Sequence, residues 1–591
     1  MKRNKSNGES KKQKSFEQFK ALFSDKRSYL RRLAIAAPVW LAVCFTFLFF
    51  GPFELVAYSG KSLFYSYKDV GPILAVAAAA VFVVGAPLIP LIRGKIFNYT
   101  VTVILSVTVC AYLQAMFFNG ELGALTGDPV DWLQYRTELW INIALWAGVL
   151  IVLLFIMYMK RSLWRKLSTV LAVLIVLSQA VPLVGILTGA FGEKTTYPEH
   201  DYYLSREGMF EYSEEHNVLV FVLDRLDYDY IATVLYYEPD FFDKLDGFTS
   251  YTNAITTYAR TKPALSHIIT GYEGNAYDLG DSYYKDAWTA DGKNLLRDLG
   301  EAGYRVDVYA EMNSVFSDGE FAFEYVDNTD HDKFDIPKMS LLSKMLELSL
   351  YRYSPTALKP FYMHDTNFYN NCAVEIAASD ERLPYFVDES LYIEGFENLK
   401  LSEEPTDEEG STKCFKFYHF NGVHSPYYMN EDGTRNPDGD TDNLKQTMGS
   451  FSILYRIFDR MKELGIYEDS AIIITADHGR AMDDTLPLQK ATRVGLFYKP
   501  SGSAGTPLAE SKAPISTYNI SAAILKEAGA DYSAYGKAID EVAEDDNVVR
   551  TYYKTVVGSP NYIYVYEVTG DASKFENWVE VGKYPVPDNV Y

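Results

Sequence analysis

Five long apolar blocks, near residues 33–55, 72–92, 99–118, 139–159 and 167–191, dominate the first third of this chain. Each is long enough to cross the roughly 30 Å hydrocarbon core of a bilayer, which takes about 20 residues of helix. A soluble protein burying five such helices would need an implausible amount of covering chain, so a membrane-spanning bundle is the expectation. The first block is not read as a cleaved signal peptide, because a polytopic pattern follows it and no small-residue cleavage site ends it. Basic residues cluster at the N-terminus (Lys2, Arg3, Lys5, Lys11, Lys12, Lys14), at Arg93 and Lys95, and at Lys160, Arg161, Arg165 and Lys166. These are the three ends that share one side if all five blocks span. The excess of Lys and Arg marks that side as cytoplasmic, so residues 192–591 are expected outside a cell membrane that the chain crosses several times.

The rest of the chain has the mixed, Tyr-rich and acid-rich composition of a water-soluble domain. It carries nearly all of the net charge of -23. That charge argues against nucleic acid as a partner, since phosphates would be repelled. A phosphate handled here has to be caught locally, by a metal or a helix end. No Cys/His zinc spacing occurs, and of the four cysteines only Cys372 and Cys414 fall in this part. Those two are read either as a disulfide or as two unpaired core residues.

After a polar linker, Asn217 to Leu223 forms a continuous apolar run that stops at Asp224, the signature of a strand buried on both faces of a mostly parallel sheet. Ala471 to Thr475 repeats the pattern and leads into Asp477-His478-Gly479. Asn443 to Leu464 has helical periodicity, with Asp442 as its cap and Gly465 as its stop. In open α/β sheets ligands sit beyond the carboxyl ends of strands, which is where both acids fall. The tail alternates from Asn561 to Tyr566, turns at Gly570-Asp571 and resumes near Trp578, predicting a small antiparallel subdomain. The expected layout is a basic cytoplasmic segment over 1–32, a five-helix membrane domain over 33–191 and a linker over 192–215. An α/β catalytic domain follows over 216–545, and a C-terminal β subdomain over 546–591.

Between the two strand-end acids lies Arg260-Thr261-Lys262-Pro263-Ala264-Leu265, running on to Thr270-Gly271. Proline suits a first helical turn and glycine a helix end, so Thr261 is expected at a helix N-terminus, where backbone N–H groups and the helix dipole favour an anion. A threonine is a weak nucleophile unless a metal or base activates it. Asp224, Asp477 and His478 are the oxygen and nitrogen donors that suit such a metal. Taken singly, each residue has a plainer reading: Asp224 caps a turn, Thr261 caps a helix, Asp477-His478-Gly479 is a loop held by local hydrogen bonds, and His424 sits in a surface turn. Their order along the chain favours the joint catalytic reading.

That order resembles the sulfatase-like branch of the alkaline phosphatase superfamily. With five apolar blocks in front, the chain most resembles the lipoteichoic acid synthases and their phosphoglycerol-transferase relatives. Phe417-Tyr-His419-Phe-Asn-Gly-Val-His424-Ser-Pro-Tyr427 matches that group's His-containing substrate motif, and Ala513 to Gly529 resembles the helix placed after its metal motif. The resemblance implies an α/β sulfatase-like fold with a small C-terminal antiparallel β subdomain behind a five-helix transmembrane domain. It implies a metal shell of Asp224, Thr261, Asp477 and His478 around one divalent ion, manganese with magnesium or zinc as alternatives. Thr261 would be the nucleophile and His424 would lie against the phosphoryl group or leaving alcohol. His419, Arg260 and Lys262 would bind phosphate or head group. The implied activity moves a phospho-alcohol head group from a membrane lipid donor to an envelope glycolipid or polymer acceptor through a phosphothreonine.

Two residues depart from the resemblance: Asp224 stands where the synthases usually have Glu, and Arg480 replaces a common acid after Asp-His-Gly. The sequence Thr261-Lys-Pro-Ala-Leu265 lacks both the convertible Cys or Ser and the arginine that sulfatases need for formylglycine. Sulfate-ester hydrolysis is therefore disfavoured against attack on phosphorus. An extracytoplasmic phosphatase or phosphodiesterase is the alternative reading, and a catalytically silent envelope protein a third, opposed by the retained ligand set.

Overall fold

The computed structural model describes residues 24, 27–58, 67–119, 135–188, 203–279, 281–289, 293–315, 324–330, 338–362, 381–402, 412–436, 441–480, 485–556 and 561–586. It divides into two compact units. One comprises residues 1–198 with 336–373, the other 199–335 with 374–591.

Among the described residues of the first unit, five helices are long and apolar enough to cross a membrane. The first, α1, runs through Tyr29–Val43, a π-helical Cys44–Phe50 and Gly51–Tyr58. It is followed by α2 (Tyr67–Leu88), α3 (Gly94–Phe117), α4 (Arg136–Met159) and α5 (Arg161–Leu187). Their packing inverts the pattern of a water-soluble bundle. Large apolar side chains such as Val181, Trp140 and Phe155 stand more than 60 % exposed, while polar groups turn inward and pair. Thr46 Oγ1 donates to Gln179 Oε1 at 3.0 Å, and Trp164 Nε1 to Thr102 Oγ1 at 2.9 Å. Internal pairing is what hydrocarbon demands of any polar group it surrounds. The helix α1 begins four residues before the expected 33, because Arg32 is buried with its guanidinium on the carbonyls of Pro90 and Arg27.

The second unit is built on a seven-stranded mixed sheet. Its strands in chain order are β1 (Asn217–Leu223), β2 (Thr249–Tyr251), β3 (Arg305–Tyr309), β4 (Cys414–Phe420), β5 (Ser470–Thr475), β6 (Phe497–Lys499) and β7 (Ala509–Ser511). Across the sheet they lie in the order β7-β2-β6-β5-β1-β4-β3. Every residue of β1, β4 and β5 is buried, as expected of parallel strands covered on both faces. Both β5 and β4 run parallel to β1, whereas β6 is antiparallel to its neighbours β5 and β2.

Three helices matter for the site: α6 (Tyr228–Tyr237), α7 (Thr261–Thr270) and α9 (Asn443–Leu464). The last starts at Asp442, whose side chain accepts from Lys445 N, and stops at Gly465 in the left-handed region with φ 77°. It covers one sheet face by placing Phe458 against Phe221 and Phe248. A three-stranded antiparallel sheet of β8 (Val549–Val556), β9 (Asn561–Thr569) and β10 (Trp578–Val586) closes the chain. Buried Arg550 fastens it by donating to the carbonyls of Asn253 and Gly570. Cys414 is buried in β4 with its thiol on Asn217 Oδ1, while Cys372 lies outside the described residues, so the disulfide reading is not addressed. His216, just before β1, is half-buried and bonded through Nδ1 to the Tyr304 hydroxyl at 2.9 Å.

Candidate active site

Three neighbouring parallel strands, β5, β1 and β4, bring their carboxyl ends side by side at the centre of the sheet, and each delivers one donor. Asp224 follows directly on β1 and Asp477 lies two residues past β5. His419 is the penultimate residue of β4, in register with Val222 of β1, which in turn faces Thr475 of β5. Ligand atoms of Asp224, His419 and Asp477 all lie within 4.8 Å of one another. His478 joins them, its Nε2 3.6 Å from Asp224 Oδ1 and 3.7 Å from Asp477 Oδ2. Thr261 is the first residue of α7, and its Oγ1 sits 3.4 Å from the same Nε2. Asp224, Thr261, Asp477 and His478 thus stand together beyond the strand ends.

The local backbone explains why they hold their places. Arg225 adopts φ 61°, a left-handed conformation unusual for a non-glycine residue, and its N–H donates to Asp477 Oδ1 at 3.0 Å. This turn joins the β1 end to the β5 end. Asp224 N donates to Phe420 O, and Val423 N donates back to Asp224 O, joining β1 to β4. Gly422, with φ 56°, lets the two loops meet, since a Cβ there would lie 2.6 Å from the Leu223 carbonyl carbon. His478 donates through Nδ1 to Gly479 O at 2.8 Å, which leaves Nε2 bare toward the carboxylates.

Several atoms of this donor set are left without a hydrogen bond. Asp224 Oδ1, Asp477 Oδ2 and both ring nitrogens of His419 are buried without a hydrogen-bond partner among the described residues, a costly arrangement unless a cation or proton fills the gap. Burial, then the neighbouring Asp477 charge, pushes Asp224 well above the usual carboxylate range. Asp477 is held low instead, against its own burial, with the backbone N–H groups of Arg225 and His478 donating to its Oδ1. Burial pushes His419 down to about 4, so it is a neutral imidazole able to ligate. Around one divalent ion with bonds of about 2.0–2.2 Å, donor atoms stand about 3.0–4.3 Å apart. The 3.4–3.8 Å separations among Thr261, His478, Asp224 and His419 fall in that range. The residues therefore fit a metal ion, with two carboxylates, one hydroxyl and two imidazoles to hold it.

His419 is where geometry and sequence reading differ. Expected on the substrate side, it has its Nε2 3.8 Å from Asp224 Oδ2 and is 2 % exposed, which puts it among the candidate ligands. His424 lies in the turn after β4, half-buried, with its backbone tied to Asn421. Arg260 occupies the cap position of α7 without a side-chain capping bond. The Lys262 ammonium lies 4.6 Å above the Tyr284 ring.

Three supporting residues escaped the sequence reading. Glu389 is wholly buried and accepts from Asn421 N at 2.9 Å, Gly422 N at 3.1 Å and Ser450 Oγ at 3.0 Å, fixing the turn that abuts Asp224. Asp227 accepts from Arg480 N at 2.7 Å and Thr492 Oγ1 at 3.3 Å, fastening the Asp-His-Gly loop. The Arg225 guanidinium reaches Ser425 Oγ at 3.3 Å. Only Asp227 had a usable signal, in its spacing of three from Asp224.

Comparison with known proteins places this arrangement. A family model described as Sulfatase matches residues 216–530. No curated protein matches the chain. Solved structures with similarity include a phosphonate monoester hydrolase from Silicibacter pomeroyi, 12 % identical, with a TM-score of 0.37 over 63 % of this chain and 89 % of that one. A protein of the alkaline phosphatase superfamily from Vibrio parahaemolyticus is 11 % identical, with a TM-score of 0.33 over 65 % and 84 %. The lipoteichoic acid synthase LtaP from Listeria monocytogenes is 12 % identical, with a TM-score of 0.32 over 65 % and 89 %. With the family match covering more than half of its residues, this chain belongs to the sulfatase family.

Proposed function

We propose that the protein is a membrane-anchored, metal-dependent phosphotransferase of the phosphoglycerol-transferase kind, taking a phospho-alcohol head group from a lipid donor to a cell-envelope acceptor. The observation that carries the reading is the Thr261 hydroxyl at the start of α7, 3.4 Å from the bare Nε2 of His478 and beside two buried carboxylates. A hydroxyl in that position is where a nucleophile for phosphorus belongs. Thr261 Oγ attacks the phosphodiester, the bond from phosphorus to the lipid oxygen breaks, and the lipid alcohol leaves with a proton. An acceptor hydroxyl then forms the new bond to phosphorus as the bond to Thr261 Oγ breaks, with His424 in this reading shuttling the proton. A divalent ion, manganese in this reading, would be held by Asp224, Thr261, Asp477 and His478, with His419 added, and would supply Lewis-acid stabilisation of the charge on phosphorus.

The basic clusters at the N-terminus and after α2 and α4 support a cytoplasmic N-terminus and an outward-facing catalytic unit, next to outer-leaflet lipid. Incubating the full-length protein with head-group-labelled phosphatidylglycerol, with and without a glycolipid acceptor, tests the reading. Transfer that needs the acceptor and disappears in Thr261→Ala is expected. Equal head-group release without acceptor would make the protein a phosphodiesterase, and product from Thr261→Ala equal to wild type would remove Thr261 as nucleophile.

A further inference from the structure

Residues 338–362 lie within the stretch matched by the Sulfatase model, yet they pack with the five apolar helices. Its helix α8 (Lys338–Tyr353) buries Leu341, Met345 and Leu348 in one cluster with Val56 of α1, Leu74 of α2 and Ile186 of α5. These contacts fall at the end of the bundle from which the chain leaves for β1.

The bundle is shaped to receive this helix. In the π-helical turn of α1, Gly51 N–H is taken by Thr46 O, and Pro52 has no N–H, so Phe47 O lacks a helical partner from either residue. Ser349 Oγ of α8 donates to that carbonyl at 3.0 Å. A Cβ on Gly51 would stand 3.0 Å from the same Ser349 Oγ, so glycine allows the close approach. Arg352 Nη2 pairs with Glu54 Oε2 at 2.8 Å, and Asn119 Nδ2 at the end of α3 donates to Arg352 O at 2.9 Å. Past α8, Thr356 N donates to Asn142 Oδ1 of α4 at 3.1 Å. An acid near a bilayer interior is expected to have a dedicated partner, and Glu54 takes its partner from a segment about 300 positions downstream. The apolar residues that this segment leaves outward, Met339 and Phe361 at more than 70 % exposure, suit the boundary between acyl chains and head groups.

We infer that residues 338–362 form a second membrane anchor, seated on the five-helix bundle and facing the bilayer lipid, so that the catalytic unit does not depend on the 189–202 linker for its attachment. Proteolytic cutting of that linker, which would shed a catalytic domain tethered at one point, would leave this one in place. The inference rests on the packing of 338–362 and is independent of the reaction proposed above.

The test uses the full chain in membrane vesicles, with site-specific protease sequences placed in 189–202 alone, or there and also in 331–337 and 363–380. After cutting the linker alone and washing with alkaline carbonate, the fragment from residue 203 onward is expected in the membrane pellet. After all three cuts, the catalytic fragments are expected in the supernatant while 338–362 stays with the pellet. Loss of the fragment to the supernatant after the linker cut alone would overturn the inference. So would retention after all three cuts, since some other surface would then be holding it.

Discussion

Replacing Asp224 with Asn separates the metal-holding function of the site from its contribution to folding, because the two effects have opposite signs. An ion at about 100 times its dissociation constant stabilises the protein that binds it by about 2.7 kcal/mol. The catalytic unit has roughly 350 residues, and unfolding entropy of about 2.1 cal/mol/K per residue gives about 0.7 kcal/mol/K. Loading should therefore raise Tm by about 4 °C, read by scanning fluorimetry on the full-length protein in chelator and then in manganese. A carboxyl whose folded pKa is raised subtracts stability once the pH exceeds its unfolded value. Asp224 is raised by burial and by the Asp477 charge, so near neutral pH the metal-free Asn variant should melt above metal-free wild type. Its metal-induced shift should nearly vanish, because one of two carboxylates is gone. A 4 °C shift retained by the variant, or a metal-free variant melting below wild type, would show that Asp224 faces something other than an ion, and the cation reading of the cluster would fall with it.

Two further perturbations follow from the groups around the ligands. Burial lifts Glu389 from 4.5 to about 7, so it costs stability progressively as pH rises from about 4.5 to 7, by an upper limit of about 3 kcal/mol at 1.36 kcal/mol per unit. Glu389→Gln should flatten the pH profile of denaturant midpoints over that window, and an unchanged slope would locate the titration elsewhere. Gly422→Ala forces a side chain into the left-handed region at roughly 1–2 kcal/mol and drives its Cβ against Leu223. It should weaken metal binding in calorimetric titration, because the strand end carrying Asp224 has to move.

What was legible in the sequence divides along physical lines. The run Asn217–Leu223 announced itself because a parallel strand buried on both faces has no polar alternation to disguise it. The ends of α9 were readable because Asp442 and Gly465 perform chemistry specific to helix termini. By contrast, β3 and β4 carry Asp307 and Lys416, which form a buried ion pair inside the sheet; charge in a strand reads as a loop until its partner is known. The strands β2, β6 and β7 have three residues each, too few for any period. The segment around α8 escapes a sequence reading because its apolar positions 341, 345 and 348 are spaced like those of a soluble amphipathic helix, with Lys344 and Glu347 between them. Nothing local says that the surface it buries belongs to helices some 300 residues earlier.

The same division explains why the candidate metal ligands Asp224, Asp477 and His478 and the candidate nucleophile Thr261 are legible in the sequence while the substrate is not. Asp224, His419 and Asp477 sit at the ends of three adjacent strands, and Thr261 at the first turn of a helix, so their positions follow from sheet order and helix geometry, which leave marks in the sequence. Two histidines five residues apart, His419 and His424, were both visible, but only the β4 register decides that the first turns toward the carboxylates while the second falls in the following turn. His424, Arg260 and Lys262 sit in a turn and at a helix cap rather than within strands. Residues so placed carry no hydropathic period of their own, so a sequence marks where the strands and helices end but not which way the side chains of a turn or cap face.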